Sequence, residues 1–232
     1  MVCRFLVVMP WGRVGSNLLM NLIGQAKIKK KLNSEKLNQL KTAEEQVVWM
    51  REFYEFDQIP DVRLIGSKQN VLSMRDIAVI ANLARAERLH LIRMRRDNFV
   101  KAAVSQMRAE EYAQRTLHDT GTARWAVRPE DPRPESGRID PSILLRRVRM
   151  MHDQQLRMLN WFGSLEGIDI EYDELRCNLH EIYTRVAGYL GLPSALPSVQ
   201  FIKATPDNLQ AAVTNYAEIL SVLAGTEYEG LV

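Results

Sequence analysis

The sequence predicts an α/β protein, a three-layer α/β/α arrangement around a central parallel sheet of about four to five strands. Two observations predict this class. Short apolar segments alternate with amphipathic ones along the whole chain, and most of the connections between them are short. Strands and helices that alternate in this way form parallel sheets with right-handed crossovers. Because 232 residues amount to about one and a half ordinary domains, we predict a single domain over residues 1–232 with one large loop.

The strands are predicted by short runs of apolar residues that turn-forming residues bound. The first run is solidly apolar and leads directly into Pro10 and Gly12, which end the strand and begin a glycine-containing loop. We therefore expect it to be buried inside the sheet. Four strands are predicted in this way, at Cys3–Met9, Val62–Gly66, Leu89–Ile92 and Ile168–Tyr172.

The helices are predicted where a capping residue precedes apolar residues at helical spacing. Thr42 and Glu45 form a capping box of this kind. The basic run over residues 27–31 is predicted to be the solvent-exposed end of the first helix. The predicted helices begin near Ser16, Thr42, Ser73, Asn98, Asp140, Asn178 and Thr205, and the fourth ends near Tyr112 and the last near Ala224.

The longest predicted loop covers residues 116–141. It contains four prolines and two glycines, so it is too interrupted for regular secondary structure. A loop of this length inside a compact domain is commonly a lid or a binding loop. We therefore predict that this segment shapes a ligand site.

The charge of the chain is small overall and uneven along its length. The net charge is +3, which is too small an imbalance to indicate binding to nucleic acid. Basic residues nevertheless outnumber acidic ones between Arg85 and Arg108, whereas residues 204–232 contain acids and no lysine or arginine. A local basic segment in a nearly neutral protein indicates one anionic ligand.

Several other classes of protein are disfavoured by the composition. Cys3 and Cys177 lie far apart, so neither a disulfide framework nor a metal site is indicated. No apolar run approaches the ~18–20 residues that span a bilayer, and the first run lacks the pattern of a signal peptide. We therefore expect a cytoplasmic protein without a transmembrane segment. The surplus apolar positions of the helix over residues 144–162 would allow a homodimer.

The loop after the first strand has the chemistry of an anion site. It ends in Gly15 and Ser16 at the start of a helix, where backbone N–H groups and the helix dipole favour an anion. Arg13 adds a bidentate cation. The spacing is neither that of a Walker A loop, because no lysine follows Gly15, nor that of a dinucleotide-binding fingerprint. A glycine turn that only reverses the chain remains the alternative interpretation.

A second basic segment follows the third predicted strand. Residues 93–96 contain three arginines, and Ser105 lies on the helix that follows. They could bind a second anionic group, or they could form a surface cluster that is paired with acids. Ligands of doubly wound sheets bind beyond the carboxyl ends of the strands. Two anion sites on neighbouring strands therefore favour one ligand with two separated anionic groups.

In their order and spacing these segments resemble the sulfotransferases that use 3′-phosphoadenosine 5′-phosphosulfate (PAPS). The resemblance rests on residues 5–19 and 91–105, and it continues through residues 161–193 and 215–228, so that it covers nearly the whole chain. It implies a P-loop-like fold and transfer of a sulfuryl group from PAPS to a hydroxyl. The product nucleotide would be 3′-phosphoadenosine 5′-phosphate (PAP), and no metal is required.

The resemblance also implies a role for particular residues. Lys68, just after the second predicted strand, would contact the transferring sulfuryl group. Glu35, which follows the first helix, would take the proton of the acceptor hydroxyl, and Trp11 would lie beside the nucleotide. A solvent-exposed lysine and a surface acid are the alternative interpretations. The implied cofactor-binding residues are Arg13, Val14, Gly15, Ser16 and Asn17 for the phosphosulfate, and Arg95 or Arg96 with Ser105 for the 3′-phosphate.

Two departures from the family pattern narrow the acceptor. Gln69 and Asn70 follow Lys68, where the phenol and steroid branch has Lys-x-His, and the C-terminus lacks that branch's Arg-Lys-Gly motif. Bacterial carbohydrate or glycolipid acceptors are therefore favoured. The competing hypotheses are a catalytically inactive relative that binds nucleotide and a P-loop-type small-molecule kinase. A kinase would need a Walker lysine, which this loop lacks.

Overall fold

The fold is an α/β arrangement around one five-stranded parallel sheet with the strand order β2-β3-β1-β4-β5. The computed structural model describes residues 2–55, 61–125, 127, 136–193, 198 and 208–232. The α/β class and the parallel sheet predicted from the sequence are confirmed. The strands are β1 (Cys3–Met9), β2 (Lys30–Ser34), β3 (Leu64–Asn70), β4 (His90–Arg95) and β5 (Gly167–Glu171).

Nine helices lie in the described part of the chain. Helix α2 begins with the predicted capping box. The Thr42 side chain accepts a hydrogen bond from the Glu45 amide, and the Glu45 carboxylate accepts one from the Thr42 amide. The helices are α1 (Ser16–Gln25), α2 (Ala43–Tyr54), α3 (Ile77–Ala86), α4 (Phe99–Thr120), α5 (Pro141–Phe162), α6 (Tyr172–Cys177), α7 (Leu179–Leu190), α8 (Leu209–Ala212) and α9 (Tyr216–Leu223). None of the helices described here is long and apolar enough to cross a membrane.

The chain divides into two compact units, residues 1–97 with 154–199 and residues 98–153 with 200–232. The first unit contains the whole sheet. In the second unit, the Asn215 side chain accepts a hydrogen bond from the backbone amide of Ile139 and donates one to the Ile139 carbonyl. In the same unit, Arg138 forms a bidentate ion pair with Glu218. The single domain predicted from the sequence stays a prediction.

The core of the first unit forms on both faces of β1, which is the central strand. Leu6 and Val8 pack with apolar side chains of α2, α3 and the end of α5. Phe5, on the opposite face, is also fully buried, and a Cβ at Gly66 would lie 1.9 Å from its ring. Burying a side chain of this size contributes about 1.5–3 kcal/mol to stability. Strand β1 is therefore buried on both faces.

The register brings three strand ends to one edge of the sheet. Met9, at the end of β1, pairs with Asn70 of β3, and Val8 pairs with Arg93 of β4. The loops that follow β1, β3 and β4 are consequently neighbours.

Strand β2 is missing from the sequence prediction, which also ends β3 too early. The basic run over residues 27–31 does not close α1, because α1 ends at Gln25 and Lys30–Ser34 forms β2. This strand lies at the sheet edge and is only half-buried, so its sequence shows no apolar run. Strand β3 also continues beyond Gly66 to Asn70 through buried polar residues.

Two helix predictions also need correction. Helix α4 continues to Thr120 and ends at Gly121, whose φ of 70° suits a left-handed cap. The first part of the predicted loop 116–141 is therefore helical, and residues 126 and 128–135 lie outside the described residues. The single last helix predicted over residues 205–224 is two helices, α8 and α9, and its start at 205–207 lies outside the described residues.

A candidate anion site at the carboxyl edge of the sheet

The loop between β1 and α1 forms the centre of the candidate site. Gly15 has a φ of +80°, and a Cβ there would lie 3.0 Å from Leu175 and 3.1 Å from Tyr172. Both the backbone conformation and the space therefore require glycine. Helix α1 begins at the next residue, the buried Ser16, and glycine supplies no side chain to cap the helix. The first amides of α1 are thus available for an anion.

Lys68 brings three segments of the chain together. It lies near the end of β3, opposite Ser34 of β2, and its side chain is only 4% exposed. Its ammonium lies 2.9 Å from Glu35 Oε1 and donates to Asn17 Oδ1 at the start of α1. Three residues singled out in the sequence therefore meet at one point.

Glu35 reaches this point because β2 precedes it. The residue follows β2 directly, its amide donates to the carbonyl of Lys68 at 2.8 Å, and its φ is 57°. Arg13, in the loop after β1, also has a positive φ, of 71°. A non-glycine residue in this left-handed region stores strain of order 1–3 kcal/mol, and such residues cluster at functional sites.

Arg96 extends the site from the end of β4. Its side chain is buried, and its Nη1 donates to the carbonyl of Arg13 at 3.3 Å. The guanidinium carbon lies 4.2 Å from the centre of the Tyr172 ring. Its Nε is buried without a hydrogen-bond partner in the described part of the chain. Burial lowers the pKa of Arg13 and of Arg96, because removal from water disfavours the charged form of a guanidinium.

Arg93 is occupied elsewhere. It forms a bidentate ion pair with Asp169 of β5 at 2.8 Å, and it donates to the carbonyls of Phe162 and Leu165 at the end of α5. This hydrogen-bonded guanidinium lowers the pKa of Asp169. Arg93 therefore joins β4, β5 and α5, and it is not available to a ligand.

The remaining predicted residues lie in different surroundings. Arg95 is 41% exposed and lies 3.7 Å from Asp97. Val14 and Trp11 are buried in the loop after β1. Ser105 is a buried residue of α4, in the second unit.

Sequence reasoning missed Tyr172 as part of the site. This residue begins α6 directly after β5, and it contacts both the space above Gly15 and the guanidinium of Arg96. The signal that could have identified it is an aromatic residue directly after a predicted strand, at the edge where ligands bind.

The arrangement combines cations, backbone amides and one carboxylate. Arg13, Arg96 and the start of α1 favour an anion, while Lys68 and Glu35 place a cation and a proton acceptor side by side. Within the described ranges, no group of three histidine, cysteine, aspartate or glutamate residues could hold a metal ion.

The chain matches solved structures but no family model and no curated protein. A mouse sulfotransferase, SULT7A1, solved in complex with PAP, has a TM-score of 0.51 at 13% identity, over 98% of this chain and 86% of that chain. This likeness shows that the chain has the fold of that protein.

Two further sulfotransferase structures align over most of the chain. One, from Alicyclobacillus acidocaldarius, has a TM-score of 0.48 at 13% identity, over 96% of this chain and 95% of that chain. The other, a domain from the curacin biosynthetic pathway, has a TM-score of 0.46 at 11% identity, over 100% of this chain and 83% of that chain.

Proposed function

We propose that the chain is a PAPS-dependent sulfotransferase that transfers a sulfuryl group to a hydroxyl of a carbohydrate, a glycolipid or another small acceptor. One observation carries the proposal. The buried ammonium of Lys68 contacts both Glu35 and Asn17 beside the candidate anion-binding loop. A cation for a transferring anionic group and a carboxylate for the acceptor's proton are the two groups that this reaction needs.

The chemistry is an in-line displacement at sulfur. The bond between sulfur and the bridging phosphate oxygen breaks, a bond from sulfur to the acceptor oxygen forms, and the acceptor's proton passes to Glu35. Arg13 and the first amides of α1 would stabilise the charge that grows on the departing phosphate. Lys68 would stabilise the sulfuryl group during its transfer. The site would act mainly by aligning the acceptor hydroxyl with the sulfur atom.

The 3′-phosphate of the cofactor would lie at Arg96. Its buried Nε lacks a hydrogen-bond partner in the described part of the chain, and such a donor favours a phosphate oxygen. Arg95 and Ser105 complete the proposed set of residues. The mouse sulfotransferase of similar fold is complexed with PAP, which supports PAPS as the donor.

The proposal has four further parts: a carbohydrate or glycolipid acceptor, a role for residues 116–141 at the acceptor site, a cytoplasmic location and a homodimer. They rest on the sequence analysis alone.

The first experiment is a thermal shift with PAP, compared with AMP and with ATP plus Mg²⁺. A ligand at about 100 times its Kd adds about 2.7 kcal/mol to the stability of the folded chain. For a chain of this length, that is a rise in Tm of about 5–10 °C. Stabilisation by PAP well above that by AMP supports the cofactor, because only PAP carries the 3′-phosphate.

The second experiment measures release of PAP from PAPS with a panel of monosaccharides, disaccharides and p-nitrophenyl glycosides. Acceptor-dependent release supports transfer. Binding of PAP without release for any acceptor would instead support an inactive nucleotide-binding relative. Stabilisation by ATP plus Mg²⁺ alone would contradict the proposal and support a kinase.

A further inference from the structure

Both carboxylate oxygens of Glu35 are held. Its Oε1 lies 2.9 Å from Lys68 Nζ, and its Oε2 accepts a hydrogen bond from the side-chain amide of Asn38 at 3.3 Å. The Glu35 side chain is 31% exposed, so a substrate can reach it. Lys68 holds one oxygen and Asn38 the other, and together they set the plane of the carboxylate.

The amide of Asn38 is itself oriented. Ser73 Oγ donates to Asn38 Oδ1, which leaves the Asn38 amino group for Glu35. Ser73 ends the 3₁₀ turn that directly follows β3, the strand that carries Lys68. The contact between Asn38 and Ser73 therefore joins the turn that bears the acid to the strand that bears the cation.

Two buried glutamines hold the same two turns. Gln46 of α2 donates to the carbonyls of Leu37 and Ser73 at 3.0 and 2.6 Å, and Gln69 of β3 accepts from the amide of Leu37 at 3.2 Å. Both glutamines are fully buried. Leu37 is the neighbour of Asn38, so the position of Asn38 is determined by buried contacts although its own side chain is exposed.

We propose that Asn38 is a positioning residue that orients the Glu35 carboxylate for proton transfer. The inference rests on the proposed function and deepens it. In the proposed reaction Lys68 would also serve the transferring sulfuryl group, whereas Asn38 would keep its hydrogen bond to Glu35 Oε2. The hydrogen bond from Asn38 would thus restrict the orientation of the carboxylate while Oε1 takes the proton of the acceptor hydroxyl.

The test is a double-mutant cycle on the full chain with Asn38→Ala, Glu35→Gln and both together. The measurement is PAP release from PAPS with whichever alcohol of the acceptor panel is turned over fastest. Asn38→Ala should lower kcat about 10-fold, the scale of a lost hydrogen bond to a charged group, and leave the KM for PAPS unchanged. In the Glu35→Gln background it should cause no further loss, because coupled residues are not additive.

The control variant is Gln39→Ala, which alters the next residue of the same turn. Gln39 is exposed, and its side chain accepts from Lys36 rather than from Glu35, so kcat should stay at the wild-type value. Asn38→Asp should not restore turnover, because a carboxylate has no hydrogen to donate. If Asn38→Ala fails to fold, Ser73→Ala removes the group that orients Asn38 and should give a smaller loss of kcat.

Three results would overturn the inference, and they separate it from the proposed function. An unchanged kcat in Asn38→Ala, with the wild-type chain active, removes the positioning role alone. An equal loss in both backgrounds makes Asn38 a merely structural residue. A wild-type chain that binds PAP but releases none from PAPS with any acceptor refutes the proposed function, and the inference with it.

Discussion

Two of the four non-glycine residues with positive φ in the described part of the chain lie at the candidate site. The described non-glycine residues with positive φ are Arg13, Glu35, Asp61 and Arg88. Arg13 and Glu35 follow β1 and β2 at the carboxyl edge of the sheet, and both bear a charge that the proposed chemistry uses. A fold tolerates this strain only where surrounding contacts hold it, such as the hydrogen bond from Arg96 to the Arg13 carbonyl.

Arg13 offers a test at the residue scale that separates catalysis from stability. Arg13→Ala should lower turnover about 100-fold or more, the scale of one lost transition-state donor. Arg13→Gly should lose as much turnover, yet unfold at a higher temperature than Arg13→Ala, because glycine adopts φ > 0 without the roughly 1–2 kcal/mol that other residues pay.

The measurements for Arg13 are initial rates of PAP release and thermal melts of both variants. Lys36→Ala is the control, since Lys36 contacts Gln39 on the exposed turn. Wild-type turnover in a folded Arg13→Ala would remove Arg13 from the mechanism. Equal melting temperatures of the two variants would mean that the loop stores no strain.

At the scale of secondary-structure elements, buried polar contacts hold the sheet beneath the site. Tyr54 at the end of α2 donates to the carbonyl of Phe5 at 2.8 Å and lies 2.8 Å from Ser67 Oγ. Burial raises the pKa of this phenol, so it stays neutral and keeps its hydrogen bonds. These contacts explain how β3, an inner strand of the sheet, continues beyond Gly66 through polar residues, where the apolar pattern predicted that the strand ends.

The ion pair between Arg93 and Asp169 makes the stability of β5 depend on pH. The folded-state pKa of Asp169 lies below its ordinary value of 3.8. A depressed carboxyl pKa contributes stability that is complete above the ordinary value and is lost as the pH falls through the folded value. Asp169→Asn should therefore lower the Tm at pH 7, and its difference from the wild type should shrink below about pH 4.

Thermal melts between about pH 2.5 and about pH 7 measure this dependence, because this range brackets the ordinary pKa of a carboxyl group. Asp153→Asn is the control, because Asp153 is an exposed acid of α5 whose loss should change the Tm little at any pH. A constant difference between Asp169→Asn and the wild type over the whole range would show that the carboxylate's charge contributes nothing.

At the scale of the whole molecule, charge concentrated at one edge matters more than the net charge of +3. Arg13, Lys68 and Arg96 converge on that edge, and we expect ligand binding there to depend on salt. The rise in Tm caused by PAP should be several-fold smaller in about 1 M NaCl than in about 0.1 M, since the Debye length falls from about 10 to 3 Å.

The ligand-free chain, melted over the same salt series, corrects for the effect of salt on the fold. AMP, which lacks the 3′-phosphate, should show a weaker salt dependence than PAP. A PAP-induced shift that is independent of salt would contradict binding through these three cations.

Features that depend on neighbouring residues were predictable from the sequence. The apolar run of β1, the glycine loop after it and the capping box of α2 are local patterns, and they correctly predicted a parallel α/β sheet. Gly15 could be placed at a helix start for the same reason, because a glycine there signals both a turn and a close approach of the backbone.

Tertiary structure alone decided which charged residues come together. Strand β2 has no apolar run, and it becomes a strand only by pairing with β3, whose paired residues lie 34 positions further along the chain. That pairing places Glu35 on Lys68. In the same way, the neighbouring β5 engages Arg93 through Asp169, whereas Arg96, just beyond β4, is directed to the loop of Arg13. Sequence spacing cannot distinguish these two arginines, because strand order determines their partners.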